Sequence, residues 1–379
     1  MFGRRPARYL LIAALVWLAA TPAGVYGRPA ADLVASPSDA EFWRLVEDLS
    51  EPAGFFRSDN LVSNEDAFQE VIPDLRRLVR PGGVYVGVGP DQNFTYLAAI
   101  EPRLAFILDI RRGNLHLQLM YKAIMELSAD RADFLSRLFA RPRPAGLGPR
   151  SSAEELFAAY ARVAPSFELY EANRRAVLAA LIERRQFPLG DEDLAGITRV
   201  LLEFFRGGPD LAYAGGGLGR TRYPTFQDLQ MMTDGRGRNH AYLGTEAAFR
   251  IVKALQDANR IVPVVGNFAG PKALRAIGRY VRARSGTVTA FYASNVEQYL
   301  FQDGVWPAFA DNLAALPLDG TSTLIRSCFT RCQTPLGARS VTLLDSMTGL
   351  VRDATAGRIA TYWDVLARRP GAPERIRAR

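Results

Sequence analysis

Two apolar runs and the glycine-rich turn between them constrain the fold of this chain more than any other feature. The first run, residues 84–88, is mostly β-branched or aromatic and leads through Gly87 and Gly89 into a turn. The second run, residues 104–110, carries Asp109 near its carboxyl end. A strand, a glycine turn, a helix and a second strand ending in an acid form the first unit of a nucleotide-binding α/β sheet.

The later part of the chain continues this alternation of strands and helices. Short apolar runs rich in β-branched residues predict further strands at residues 261–265, 287–292, 322–327 and 341–344. Strands of this kind, separated by amphipathic helices, favour a parallel sheet covered on both faces. The expected fold class is therefore α/β, a Rossmann-like and mostly parallel sheet.

A long helical stretch, residues 113–245, separates the early strands from the late ones. Its apolar residues recur at helical spacing, which predicts a large helical insertion. Glycine clusters between residues 207 and 240 predict a loop or lid inside it. Before the first strand, Ser63 or Asn64 is expected to start a helix.

The two ends of the chain are predicted to lie outside the folded domain. In residues 1–27, three arginines precede a short apolar run and then small residues, which is the pattern of a signal peptide. The run is short for a membrane span, which needs roughly 20 apolar residues, and an uncleaved anchor is the alternative. Residues 28–39 are interpreted as a linker, residues 40–368 as one domain and residues 369–379 as a tail. Export to the periplasm or envelope is expected.

Composition argues against two classes of partner. The net charge is +8, but three of these charges belong to the predicted signal peptide and the others are interspersed with acids, so no nucleic-acid-binding stripe is expected. Only two histidines, His116 and His240, are present, so no metal site is expected. Cys328 and Cys332 are spaced to close a small disulfide in an oxidising compartment if they lie in a loop.

The glycine turn is the first candidate binding site. Glycine permits positive φ and close approach of main-chain N–H groups to a ligand. Polar side chains follow at the mouth of the next helix, and Asp109 stands where an acid would accept hydrogen bonds from ribose hydroxyls. The predicted ligand-binding residues here are Gly87, Gly89, Pro90, Asp91, Gln92, Asn93 and Asp109. The alternative is a tight strand–helix turn with an unrelated acid at the end of a strand.

This order of elements resembles the fold of class I S-adenosylmethionine-dependent methyltransferases. More narrowly, residues 85–96, 109–112 and 294–301 are similar to a bacterial family of uncharacterised methyltransferase-like proteins. The similarity extends over most of residues 50–330. It implies a fold and no established activity. The resemblance to class I methyltransferases implies S-adenosylmethionine as the cofactor.

The chain departs from the methyltransferase pattern at three places. Tyr85 stands where the first strand usually has an acid, and Asp91 replaces the usual third glycine. The usual catalytic Asn/Asp-Pro-Pro-aromatic sequence after the fourth strand is absent, and residues 265–271 stand in its place. Within them Asn267 is a further predicted ligand-binding residue, at the edge of the sheet where open α/β folds bind ligands. A turn before a helix starting at Pro271 explains it equally well.

Four more residues are candidates for substrate contacts. Asn295 and Glu297 lie where a predicted strand runs into a helix, although a helix cap is the simpler interpretation there. Arg111 could clamp an anion or merely flank a strand. Asp228 lies in the predicted lid, whose charged residues could also be simply solvated.

Three functions are compatible with these patterns. The first is an exported methyltransferase-like protein that binds an adenosyl-type small molecule at the glycine turn, with an unidentified methyl acceptor. The second is a non-catalytic periplasmic or envelope binding protein that retains the fold. A nicotinamide-dependent oxidoreductase is disfavoured, because the full Gly-x-Gly-x-x-Gly motif is absent and position 92 is glutamine.

Overall fold

The computed structural model describes residues 35–58, 60–213, 223–329, 332–335 and 337–368. The predicted signal peptide and tail lie outside these residues, as does most of the predicted linker. The described chain is built around one six-stranded sheet. Its strands are β1 (Val84–Gly87), β2 (Leu104–Asp109), β3 (Ile261–Val265), β4 (Val288–Ser294), β5 (Thr323–Cys328) and β6 (Val341–Ser346).

The strand order is β3-β2-β1-β4-β5-β6. Strands β1 to β5 are parallel, and β6 pairs antiparallel with β5. The predicted α/β fold with a mostly parallel sheet is thus confirmed. The chain grows outward from β1 through β2 to β3, then returns to the other side of β1 as β4. The carboxyl ends of β1 and β4 therefore flank the topological switch point, where open α/β sheets bind ligands.

Helices cover both faces of the sheet, so β1, β2, β3 and β5 are buried throughout. Eight of them lie outside the interval between β2 and β3: α1 (Asp39–Leu49), α2 (Ile72–Leu78), α3 (Gln92–Ile100), α11 (Ala273–Arg282), α12 (Val296–Gln302), α13 (Trp306–Ala314), α14 (Met347–Thr355) and α15 (Tyr362–Leu366). The interval between β2 and β3 holds α4 (Arg112–Leu127), α5 (Arg131–Phe139), α6 (Ala153–Ala161), α7 (Phe167–Ala179), α8 (Asp191–Gly207), α9 (Phe226–Met231) and α10 (Glu246–Asp257).

The helical block shares its core with the sheet layer. The ring of Phe94 on α3 packs edge-on against Tyr121 on α4 and against Tyr242 before α10, at 5.3 Å between ring centroids in both cases. His116 on α4 is a structural residue, because its ring nitrogen Nε2 lies 2.8 Å from the carboxylate of Asp193 on α8. The block is therefore part of the same packed unit as the sheet.

The predicted start of a helix at Ser63 or Asn64 is wrong. Ala67 adopts a left-handed conformation with φ of 62°, which breaks a helix. A 3₁₀ turn, Phe68–Val71, follows it and leads into α2. The Ser63 hydroxyl donates to Gln92 on α3 over 2.5 Å, so tertiary contacts hold this segment instead.

Two further observations concern a disulfide bond and the character of the helices. Cys328 and Cys332 form a disulfide bond at the end of β5. Within the described residues, no helix combines the length and apolar character that a bilayer span requires.

Candidate functional site

A cleft of about 470 Å³ opens at the carboxyl edge of the sheet. Six predicted ligand or substrate residues line it, at or just beyond the ends of four strands: Gly89 and Pro90 after β1, Asp109 in β2 and Arg111 after it, Asn267 after β3 and Asn295 after β4. The carboxyl ends of neighbouring parallel strands meet at one edge, which explains why residues so distant in sequence come together. Residues 55–57, Asn60 and residues 62–65 close the cleft from the opposite side.

We call the glycine turn, residues 87–90, the elbow. Hydrogen bonds from Asn93 hold it in place. The Asn93 amide donates to the carbonyls of Val88 over 2.9 Å and Pro90 over 2.7 Å. Its carbonyl oxygen accepts from the Tyr85 hydroxyl over 2.7 Å. A Cβ at Gly87 would lie 2.0 Å from Asn93 Oδ1, so the close packing requires glycine there. Gly87, a predicted ligand-binding residue, thus serves the packing of the elbow and does not line the cleft.

Gly89 is the elbow residue most open to a ligand. Its φ is 80°, which disfavours any side chain, and the space where a Cβ would stand is empty within 4 Å. Gly89 and Pro90 line the cleft, together with the preceding Val88. Ligand contacts from this turn would come from the backbone.

Asp91, Gln92 and Asn93, three of the predicted ligand-binding residues, turn inward and do not line the cleft. Burial raises the pKa of Asp91 to about 7, and its Oδ2 accepts from Gln230 over 3.0 Å and from the Tyr242 hydroxyl over 3.1 Å. These three side chains fix α3 and the elbow in place.

Asp109 lines the cleft beside its own partner, Arg111. The guanidinium donates from Nε to Oδ1 over 3.1 Å and from Nη2 to Oδ2 over 2.9 Å. Arg111 also donates to the carbonyl of Ser58 over 3.1 Å, which ties the pair to the opposite wall. Arg111, the candidate anion clamp, is thus paired with the Asp109 carboxylate, and the two charges offset each other.

Asn267 lines the cleft and also builds a turn. Its Oδ1 accepts from the backbone N–H of Ala269 over 2.9 Å. The helix expected from Pro271 begins at Ala273, because Glu51 accepts from the N–H groups of Lys272 over 2.7 Å and Ala273 over 2.6 Å and so caps α11. The alternative role as a turn residue therefore describes this side chain well.

The other two substrate candidates lie elsewhere. Glu297 is fully buried and pairs with Arg326, whose Nε donates to Oε2 over 2.7 Å. Asp228 accepts from the N–H of Thr225 over 2.9 Å and closes a capping box at the start of α9. Neither side chain lines the cleft, so both serve the local structure.

Part of the predicted lid, residues 214–222, lies outside the described residues.

Glu65 is the cleft residue that sequence reasoning missed. Its side chain is 1% exposed and lines the cleft. It accepts hydrogen bonds from Gln92 over 2.8 Å, from Ser294 at the end of β4 and from Ser327 on β5. A single acid in a loop gives no sequence signal, because contacts with residues more than 200 positions away set its place.

The open rim of the cleft is aromatic. Phe55 is 86% exposed, and the ring of Phe56 meets Tyr299 edge-on at 5.3 Å between centroids. The Arg57 guanidinium lies 5.5 Å from the centre of the Tyr299 ring. Tyr213, which lies between α8 and α9, donates to or accepts from the Ser58 hydroxyl over 2.8 Å. Such a rim suits a planar or apolar group.

The polar groups in the cleft are carboxylates, amides, hydroxyls, backbone groups and the guanidinium groups of Arg57 and Arg111. Among the described residues, no cluster of His, Cys, Asp and Glu could hold a metal ion.

The family model of a domain of unknown function (DUF7790) matches residues 60–341, which is most of the chain. The chain belongs to this family.

The matched segment contains most of the residues that line the cleft, and Phe55, Phe56 and Arg57 of its rim lie before it. It includes the elbow, Asp109, Glu65 and strands β1 to β5, while α1 and Glu51 lie before it. A search of the curated proteins finds no match to this chain. Any function of this DUF7790 protein must therefore be argued from the cleft itself.

Proposed function

We propose that this DUF7790 protein binds an adenosyl-type small molecule, with S-adenosylmethionine as the cofactor and an unidentified methyl acceptor. The observation that carries the proposal is that Gly89 and Asp109 line the same cleft at the topological switch point. A glycine elbow and an acid one strand over are the two contacts that the class I methyltransferase resemblance calls for.

The residues of the cleft fit such a ligand. The open space at Gly89 lets a ligand approach the main chain closely. Val88, Leu108, Ile110 and Phe268 give apolar surface for a purine base. A volume of about 470 Å³ lies in the range of small-molecule sites, roughly 300–1,000 Å³.

When bound, S-adenosylmethionine supplies an electrophilic methyl group on a sulfonium. The task of the protein is then to bind and align the two reactants, because proximity and orientation supply much of the acceleration. The elbow and Asp109 would fix the adenosyl part, and the aromatic rim at Phe56 and Tyr299 would contact the acceptor. Histidine is not required, since a base is needed only when the acceptor carries a proton.

A second candidate is a non-catalytic binding protein in the periplasm or envelope. The predicted signal peptide favours export, and the Cys328–Cys332 disulfide is consistent with an oxidising compartment. S-adenosylmethionine is not expected there. The ion pair of Asp109 with Arg111 also favours this candidate, because it occupies both oxygens of the ribose acceptor.

Calorimetric titration of the mature protein separates these candidates. We expect S-adenosylmethionine and S-adenosylhomocysteine to bind with one-to-one stoichiometry, and NAD to show no heat of binding. If binding occurs without methyl transfer to any acceptor in a cell-envelope extract, the non-catalytic candidate is favoured. Failure of both adenosyl compounds to bind would overturn the proposal.

Asp109→Ala is expected to weaken S-adenosylhomocysteine binding roughly tenfold or more, the cost of losing a charge-assisted hydrogen bond. The measurement is the same titration, with the melting temperature recorded to show that the variant is folded. Asp48→Ala is the matched control, since Asp48 is exposed on α1 and outside the cleft. Equal affinity in Asp109→Ala and wild type would remove Asp109 from the site.

A further inference from the structure

Glu65 is a buried acid in the cleft whose charge has no counter-ion among the described residues. Among the described residues, the side chains that donate to it are neutral: the amide of Gln92 and the hydroxyls of Ser294, Ser327 and Tyr292. Burial of a carboxylate is costly unless a cation pairs with it, and neutral donors offset only part of that cost. A cationic group entering the cleft would offset the rest.

The charged residues around the cleft differ in their partners. The buried acid Asp109 pairs with Arg111, whereas Glu65 forms no ion pair with a cation among the residues that the structure describes. Arg57 lies on the rim and packs over Tyr299. Glu65 is therefore a carboxyl group of the cleft without a cationic partner among the described residues.

Glu65 also changes what the start of α3 can bind. In dinucleotide-binding folds, the N-terminus of the helix after the glycine turn faces an anionic pyrophosphate. Here the side-chain amide of Gln92, the first residue of α3, donates to the Glu65 carboxylate, which places an acid beside the start of the helix. An anion at this position would meet a negative charge, and a cation would be attracted.

We propose that Glu65 binds a cationic group of the ligand, an ammonium or sulfonium, and so selects cationic adenosyl compounds over neutral nucleosides and dinucleotides. The adenosyl part of this statement rests on the proposed function. Tyr85 stands where the methyltransferase pattern has an acid, and its hydroxyl is bonded to Asn93. Glu65 supplies a negative charge to the same cleft from a different segment of the chain.

The first test compares S-adenosylmethionine with the uncharged 5′-methylthioadenosine by calorimetry. Wild type is expected to bind S-adenosylmethionine at least tenfold more tightly. Glu65→Gln should lose that preference while its affinity for 5′-methylthioadenosine stays within twofold. Glu70→Gln is the matched control, because Glu70 is exposed and outside the cleft.

Two outcomes of this test would overturn the proposal. Equal affinity of wild type for the two compounds excludes a cation site, and this comparison needs no variant. An equal loss of affinity for both compounds in Glu65→Gln would mean that Glu65 only holds the loop in place. If Glu65→Gln does not fold, Glu65→Asp is measured instead. The shorter side chain keeps the carboxylate but places it farther from the ligand, so the preference for S-adenosylmethionine over 5′-methylthioadenosine should be smaller than in wild type.

The second test does not depend on adenosyl binding. Choline and its uncharged isostere 3,3-dimethyl-1-butanol are titrated at millimolar concentration, with saturation-transfer NMR as the readout. Wild type should bind choline preferentially, and Glu65→Gln should not. If choline is preferred but no adenosyl compound binds, the proposed function fails and the role of Glu65 stands. If adenosyl compounds bind with no preference for cations, the role of Glu65 fails and the proposed function stands.

Discussion

Arg326→Ala is expected to lower the free energy of unfolding by about 3–5 kcal/mol, because it leaves the buried Glu297 carboxylate without its cation, whereas Asp345 keeps Arg368. The Arg326 side chain is 1% exposed and donates to Glu297 over 2.7 Å and to Asp345 over 3.0 Å. It also donates to the carbonyl of Val365 over 3.2 Å. Urea unfolding followed by circular dichroism measures the loss.

Arg352→Ala is the control for this experiment. Its side chain is 76% exposed, and surface substitutions usually change stability by no more than about 0.5 kcal/mol. A loss below about 1 kcal/mol in Arg326→Ala would contradict a structural role for the pair. Glu297 would then return as a candidate for contacting the substrate.

Asp91→Asn is expected to remove a large pH dependence of stability. Burial raises the pKa of Asp91 from 3.8 to about 7, so the folded state holds a proton that the unfolded state has released. The free energy of unfolding of wild type should therefore fall as pH rises from about 4 to about 7. The slope is up to about 1.4 kcal/mol per pH unit, or about 4 kcal/mol in total.

Urea unfolding of wild type and Asp91→Asn at pH 4, 5.5, 7 and 8 tests this expectation. The difference between the two curves isolates Asp91 from the other titrating groups. The variant should gain stability relative to wild type with each step up to pH 7. Asp48→Asn should follow wild type, since Asp48 is exposed. Parallel curves for wild type and Asp91→Asn would show that Asp91 is ionised in the folded protein.

The sequence predicted the architecture because strand signals are local. Residues 261–265 form β3 with the expected limits, since an apolar β-branched run buried on both faces can be recognised without its neighbours. The positions of Gly89, Asp109, Asn267 and Asn295 at one edge followed from the parallel order of the strands.

The directions of the side chains could not be predicted in this way. Asp91 turns inward because its partners Gln230 and Tyr242 come from the helical block, about 140 and 150 positions later. Glu65 enters the cleft because Ser294 and Ser327 bind it across the sheet. Both contacts depend on tertiary packing, which a single sequence does not display.

A crystal structure of the protein with S-adenosylhomocysteine tests the central claim most directly. We expect the ribose within hydrogen-bonding distance of Asp109, the amino-acid part over Gly89, and the ammonium facing Glu65. Binding outside the cleft, or a ribose remote from Asp109 with Gly89 uncovered, would contradict it.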